Sequence, residues 1–250
     1  GLAFVDKSAI ESESAGGGIG SMYFAQKLRE DLTESTRAQA KELIQQFAER
    51  VDAAGVRHTR DRVGEGELVR SLLDEMRTHD LLVAGRESHF YYNEPERRTH
   101  TLGKVLQECA AAMLIVGSET PDVQRVAIAY DGSGPSARTM QKFAHLQPFG
   151  ADLDLEVVHV RGGTEVERLA SENLLEDAEA YLSAYGFERI TTTGIESSDP
   201  ANRICELAQG DRADLVVSGA YAKSGFRKMI FGSSATKLLN QASVPLFLYH

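Results

Sequence analysis

Asp80-Leu81-Leu82-Val83-Ala84-Gly85 and Asp214-Leu215-Val216-Val217-Ser218-Gly219 share one pattern, an acid, three aliphatics, a small residue and a glycine, 134 positions apart. Each run is too short for a helix and is punctuated by glycine, so each reads as a buried strand. A helix-period stretch precedes each one, Leu68, Leu72, Leu73 and Met76 in one case and Ile204, Leu207 and Ala208 in the other. After each come a polar loop, a second helix and a last apolar strand, Ala112 to Val116 and then Val244 to Tyr249. A repeat this long means two copies of a domain, because solenoid units have periods of roughly 20–50 residues.

In the second copy, strands are predicted at Val126 to Tyr130, Leu153 to Val160, Ile190 to Thr193, Leu215 to Ser218 and the final run. Helices are predicted between them at Ser136 to His145, Thr164 to Tyr185, near Pro200 to Gln209, and Ser233 to Gln241. This βαβαβαβαβ order implies an α/β fold, an open, mostly parallel sheet with helices on both faces and ligands at the carboxyl ends of its strands. The first copy fits the plan only from its second strand onward, with Leu2 to Val5 as strand and Tyr23 to Ala54 as a long helix. The expectation is two tandem five-stranded sheets over residues 1–118 and 122–250, the first lacking its opening strand and helix, either because the sequence begins inside that domain, the reading favoured, or because the domain is naturally short.

Composition narrows the function classes. The 250 residues are 42% hydrophobic and 26% charged, as in ordinary globular proteins. A formal charge of -10 argues against nucleic acid as a partner, since its binders present clustered basic surface. Apolar runs such as Ala110 to Val116 fall short of the roughly 18–20 residues that cross a bilayer, so no membrane partner is expected. No basic region followed by an apolar stretch opens the chain, and Cys109 and Cys205 lack ligand or disulfide spacing. Both features fit a reducing cytoplasm.

The chemistry is concentrated in Gly219-Ala220-Tyr221-Ala222-Lys223-Ser224-Gly225-Phe226-Arg227-Lys228-Met229-Ile230-Phe231-Gly232-Ser233-Ser234-Ala235-Thr236, which joins a strand to a helix. Gly219 lets the backbone approach a ligand, and Gly232-Ser233 opens the next helix, where unpaired N–H groups favour an anion. Ser233 and Ser234 add hydroxyls, while Lys223, Arg227 and Lys228 add positive charge. The same residues also describe a glycine turn, a solvated basic loop and a serine-capped helix. At the end of the second copy's first strand stands Asp131-Gly132-Ser133-Gly134-Pro135-Ser136. Asp131 reads either as an acceptor for adenine, ribose or a metal–phosphate complex, or as the start of an Asx-turn before a helix capped by Ser133 or Ser136.

These residues resemble the universal stress proteins, whose ATP-binding members carry a glycine, two residues, a glycine, nine residues, then glycine and serine or threonine. Here the positions are Gly219, Ala222, Gly232 and Ser233, with alanine at the second. The opening AIAYDGSGPS, the strand ending in His159-Val160 and the closing VPLFLYH strengthen the resemblance, which covers Val123 to His250 well and the first copy loosely. It implies an adenine nucleotide alpha hydrolase-like fold and bound ATP, with or without Mg2+. It further implies that Ala129, Tyr130 and Asp131 flank adenine and ribose, and that Val160 lines the adenine pocket. Ser218, Gly219, Ala222, Lys223, Gly232, Ser233 and Ser234 would then hold ribose and phosphates. Final strands in this family pair across a pseudo-twofold axis, which implies intrachain domain pairing and further assembly as a homodimer.

The first copy keeps Gly85, but Arg86 to His100 has no glycine at the phosphate position, and Thr99 and His100 stand where Gly232 and Ser233 do. Nucleotide is therefore expected in the second half. Phe90, Tyr91 and Tyr92 read as packing or interdomain contacts before base-stacking, and Gly16 to Gly20 as a surface loop, lacking Walker spacing. The carboxylates of Glu165, Glu167, Glu172, Glu176, Asp177 and Glu179 read as a solvated helix face, His159 as part of a buried strand, and both cysteines as buried and inert. The leading function is a nucleotide-dependent regulatory or interaction module with no catalytic residue and no resident metal. Slow ATP hydrolysis or autophosphorylation through Ser133, Ser233 or another nearby hydroxyl, and a nucleotide-free scaffold, are the alternatives.

Overall fold

Short aliphatic runs separated by helices build two units in the computed structural model, Gly1–Glu75 and a larger unit that begins at Met76 and reaches His250. Residues 1–7, 10–11, 22–57, 61–86, 95–117, 122–209, 212–220 and 233–250 are described, with backbone alone at 22, 95–101 and 233–236.

In the first unit, β1 (Leu2–Asp6) and β2 (Arg62–Gly66) pair in parallel, joined by the long helix α1 (Met22–Ala53) and followed by α2 (Leu68–Met76). Glu65 of β2 ties the unit together, held by Arg37 of α1 at 2.6 Å and Lys7 at 2.9 Å. Hydrogen bonds from these two cations hold the Glu65 carboxyl down to about 2.

The larger unit holds β3 (Leu81–Gly85), α3 (Pro95–Glu108), β4 (Ala112–Val116), β5 (Arg125–Ala129), α4 (Gly134–Leu146), β6 (Asp154–Arg161), α5 (Glu165–Ala184), β7 (Arg189–Glu196), α6 (Pro200–Leu207), β8 (Leu215–Gly219), α7 (Ser233–Gln241) and β9 (Leu246–Tyr249). Its seven strands are ordered β3-β4-β9-β8-β5-β6-β7, parallel throughout except for the antiparallel β4–β9 pair. On one face, Met140 and Phe143 of α4 and Leu175 and Leu182 of α5 pack on Ile128, Val157, Val217 and Phe247. Phe143 stacks on Phe187 and meets the edge of Phe247. Each fully buried side chain of this kind contributes about 1.5–3 kcal/mol. Alternation along the strands turns Ala127, Ala129, Val158, Val216 and Ser218, all buried, to the opposite face. No described helix is long and apolar enough to cross a membrane.

The repeat is written into the hydrogen bonding. Gly85 pairs with Val116 as Gly219 pairs with Tyr249, and the Arg86 N–H donates to Val116 O at 2.6 Å as the Ala220 N–H donates to Tyr249 O at 2.9 Å. With the copies so aligned, Met113, Leu114 and Ile115 are equivalent to Leu246, Phe247 and Leu248. The β4–β9 register joins Met113 to Leu248, Leu114 to Phe247 and Ile115 to Leu246, so the junction is symmetric about Leu114–Phe247. The apolar edges of the last strands cover each other.

The α/β class and the mostly parallel order are as the sequence predicts, but the strands are shared out as two and seven. The reason is β5, which pairs with both β6 and β8. β1 and β2 form their own pair, while β3 and β4 extend the sheet of β5 through β9.

Candidate nucleotide site

From β5 the chain crosses to β6 and β7 on one side, and the crossover from β8 leads to β9 on the other. Connections therefore diverge at the β5–β8 pair, and the carboxyl ends of such a pair are where open α/β sheets bind ligands. Ala129 and Ser218 are register partners at that point, which brings the ends of β5 and β8 side by side.

Local chemistry shapes the turn after β5. Gly132 has a φ of 69°, a left-handed conformation that side chains resist. The Asp131 carboxylate accepts from the Ser133 N–H at 2.9 Å and the Ser136 hydroxyl at 2.7 Å. Ser133 caps α4 by accepting from the Ser136 N–H at 3.4 Å, with Pro135 in the first turn. Both the Asx-turn and the serine cap foreseen from the sequence are present, and they fix the Asp131 carboxylate at the mouth of the β5–β8 pair.

At Gly219 the sequence predicts a close approach of the backbone, and the structure shows one to the protein's own backbone. A Cβ there would lie 3.0 Å from Ser136 N and 3.1 Å from Pro135 C. Its glycine lets the end of β8 abut the first turn of α4, holding the Asp131 turn against the strand. Ser218 is buried beside it, its hydroxyl 3.3 Å from Gly219 O.

The Tyr130 N–H donates to Val158 O at 2.9 Å, and its ring packs against the core beneath α4 and α5. Burial first, then the charges of Asp177 and Asp131, push its phenol up. By alternation Ala129 and Val160 face the other layer of the sheet. Tyr130 thus turns its ring into the core and leaves its main chain at the end of β5. Ser233 and Ser234 open α7, as their spacing predicts. Ala222, Lys223 and Gly232 lie outside the described residues, as do Arg227 and Lys228.

Two anchors are not apparent from the sequence. Thr139 Oγ1 lies 2.8 Å from Pro135 O and 3.0 Å from Tyr249 O, and Arg138 Nε donates to His250 O at 2.9 Å. Both tie the start of α4 to the end of β9. A helical threonine and arginine carry no periodic signal that would reveal carbonyl partners more than a hundred residues away.

His159 ends up half-buried in β6 with Nδ1 2.8 Å from the Ser171 hydroxyl. Cys109 and Cys205 are both buried, and burial pushes both thiols up. At the equivalent end of β3, Arg86 stands in the place of Ala220 and its Nη2 donates to Val244 O at 2.5 Å. Gly16 to Gly20 and Phe90 to Tyr92 are outside the described residues, and Thr99 and His100 are described as backbone of α3.

A family model described as the universal stress protein family matches residues 122–250. The chain belongs to the universal stress protein family. Universal stress protein Slr1230 of Synechocystis sp. is 24% identical over 250 residues, covering 97% of this chain and 85% of that protein. A universal stress protein structure from Archaeoglobus fulgidus DSM 4304 superposes with a TM-score of 0.63 at 18% identity, covering 88% of this chain and 78% of its own. A Pseudomonas aeruginosa UCBPP-PA14 structure assigned to the universal stress proteins gives 0.59 at 15% identity, covering 99% and 91%. At these identities the two structures speak for the fold of this universal stress protein, and its ligand is argued from its own residues.

Proposed function

We propose that residues 122–250 bind an adenine nucleotide, ATP with or without Mg2+, across the carboxyl ends of β5 and β8, and that residues 1–118 are a degenerate copy. In this reading Ala129 and the Tyr130 main chain flank the base and Val160 lines its pocket. Asp131 accepts from ribose, and the strand-to-helix turn from Ser218 and Gly219 through Ala222, Lys223 and Gly232 to Ser233 and Ser234 holds the phosphates. The observation that carries it is the Ala129–Ser218 pairing at the point where the sheet's connections diverge, with the Asp131 turn locked beside it by Gly219. The donor set fits the group: main-chain N–H groups and hydroxyls suit phosphate, and a fixed carboxylate suits a sugar hydroxyl.

Phosphate held by such a cradle is bound without being activated, because transfer also needs a positioned water and charge stabilisation in the transition state. Ser133 is buried and occupied as a helix cap, so phosphoryl transfer to it would require opening the first turn of α4. The function is therefore a nucleotide-dependent interaction module, in which bound ATP biases domain pairing, assembly as a homodimer or partner contacts.

Calorimetry with ATP tests this. One site per chain is expected, weakened at least about tenfold by Asp131→Ala, which removes one charged hydrogen-bonding group. Absence of heat and of any thermal shift in millimolar ATP would leave a nucleotide-free scaffold. Phosphate release from saturating Mg-ATP that vanishes in both Asp131→Ala and Gly232→Val would make the protein a slow ATPase.

A further inference from the structure

The outer face of α5 departs from what a surface helix should carry. Ser171, Leu175, Ala178 and Leu182 form its buried face, so charged and polar residues are expected opposite. Instead Val166 and Leu169 stand there 77% and 49% exposed with the exposed Ala170 beside them, before Asn173 follows on the same face. One flank of this stripe is acidic. The helix bears six carboxylates and one arginine, a formal −5 of the chain's −10.

Local pairing leaves much of that charge uncommitted. Arg168 is taken by Glu165 and Glu172, and Glu167 closes a capping box with Thr164. Glu176 and Glu179 have no ion pair among the described residues. The capping box and buried face also make α5 a fixed platform, so a partner meets a surface that loses little freedom on binding.

We infer that this face docks a basic amphipathic helix of another protein. Aliphatic anchors of the partner cover Val166 and Leu169, and its lysines or arginines meet Glu172, Glu176 and Glu179. Helix-on-helix recognition of this kind uses anchors spaced three and four residues apart, as Val166, Leu169 and Ala170 are. The surface is independent of nucleotide, so it stands or falls separately from the ATP site.

The test uses the whole chain and a fluorescein-labelled fourteen-residue helical peptide of leucines and lysines, with glutamate replacing lysine in a second peptide, followed by fluorescence anisotropy. The lysine peptide is expected to bind and to weaken as salt rises. A V166E/L169E double variant is expected to bind it at least about tenfold more weakly, although the variant is more acidic. Glu176→Gln with Glu179→Gln should weaken it several-fold. Failure of the lysine peptide to bind would overturn the inference. So would unchanged or tighter binding by V166E/L169E, the signature of charge attraction alone, or equal binding of the glutamate peptide. Concentration-dependent self-association that V166E/L169E abolishes would assign the face to a second copy and overturn it as well. Unchanged thermal melting of the variants confirms that a loss of binding is not a loss of fold.

Discussion

The segments β3–α3–β4 and β8–α7–β9 repeat the same strand register and the same closing hydrogen bond, yet their surroundings are opposite. β8 lies between β5 and β9, and Val217 is fully buried, whereas the equivalent Val83 of β3 is 57% exposed. Asp214 at the start of β8 accepts from the Gln124 and Arg125 N–H groups and pairs with the Arg125 guanidinium at 2.7 Å. Its counterpart Asp80 is 83% exposed, with Lys142 at 3.7 Å. Every one of these differences traces to β5. A strand beside the repeat unit, more than the unit's own sequence, turns an apolar run into a core and its end into the proposed binding edge.

The sharpest way to break the comparison is a charge in each strand. Val217→Asp buries an unpaired carboxylate and should cost more than about 4 kcal/mol or prevent folding, while Val83→Asp should cost less than about 1 kcal/mol in urea denaturation. Equal losses would mean that β3 is as enclosed as β8.

Glycines give the next contrast. Gly219→Ala forces a Cβ against the backbone of α4 and should cost about 1–3 kcal/mol while weakening ATP binding. Gly117→Ala, after β4, meets open space and should change stability by less than about 0.5 kcal/mol.

The paired aspartates add a pH test. Arg125 hydrogen-bonds the Asp214 carboxylate and lowers it, with the backbone donors assisting, so its folded value lies below its unfolded value. Its stabilisation is whole above the ordinary carboxylate range near about pH 4 and fades as pH falls through the folded value. Asp214→Asn should therefore cost about 1–2 kcal/mol at neutral pH, allowing for solvent screening, and progressively less in acid. Asp80→Asn should change stability by less than about 0.5 kcal/mol at neutral pH. The smallest effect concerns Ala222, which stands at a glycine position of the family motif. Ala222→Gly, which restores the glycine of that motif, should tighten ATP about fivefold by calorimetry.

Most strand positions were legible because aliphatic runs bounded by acids and glycines have few other uses, and the Asp131 turn because Asp-Gly-Ser chemistry is local; β2, with Val63 its one aliphatic residue, was not. The division of strands between two sheets was not, since it depends on the neighbour β5 provides and β3 does not have. At Gly219 the sequence shows only that a side chain is missing, and packing shows that Ser136 and Pro135 occupy the space it would take. Thr139 and Arg138 were silent because their partners are main-chain carbonyls at the far end of the chain.

Hydrogen exchange with and without saturating ATP tests the central claim most directly. The account predicts slowed exchange in peptides spanning 127–136 and 216–236, with residues 81–86 and 112–117 unchanged. Slowing confined to residues 1–117, or none anywhere under conditions where ATP binding is measured, would contradict it.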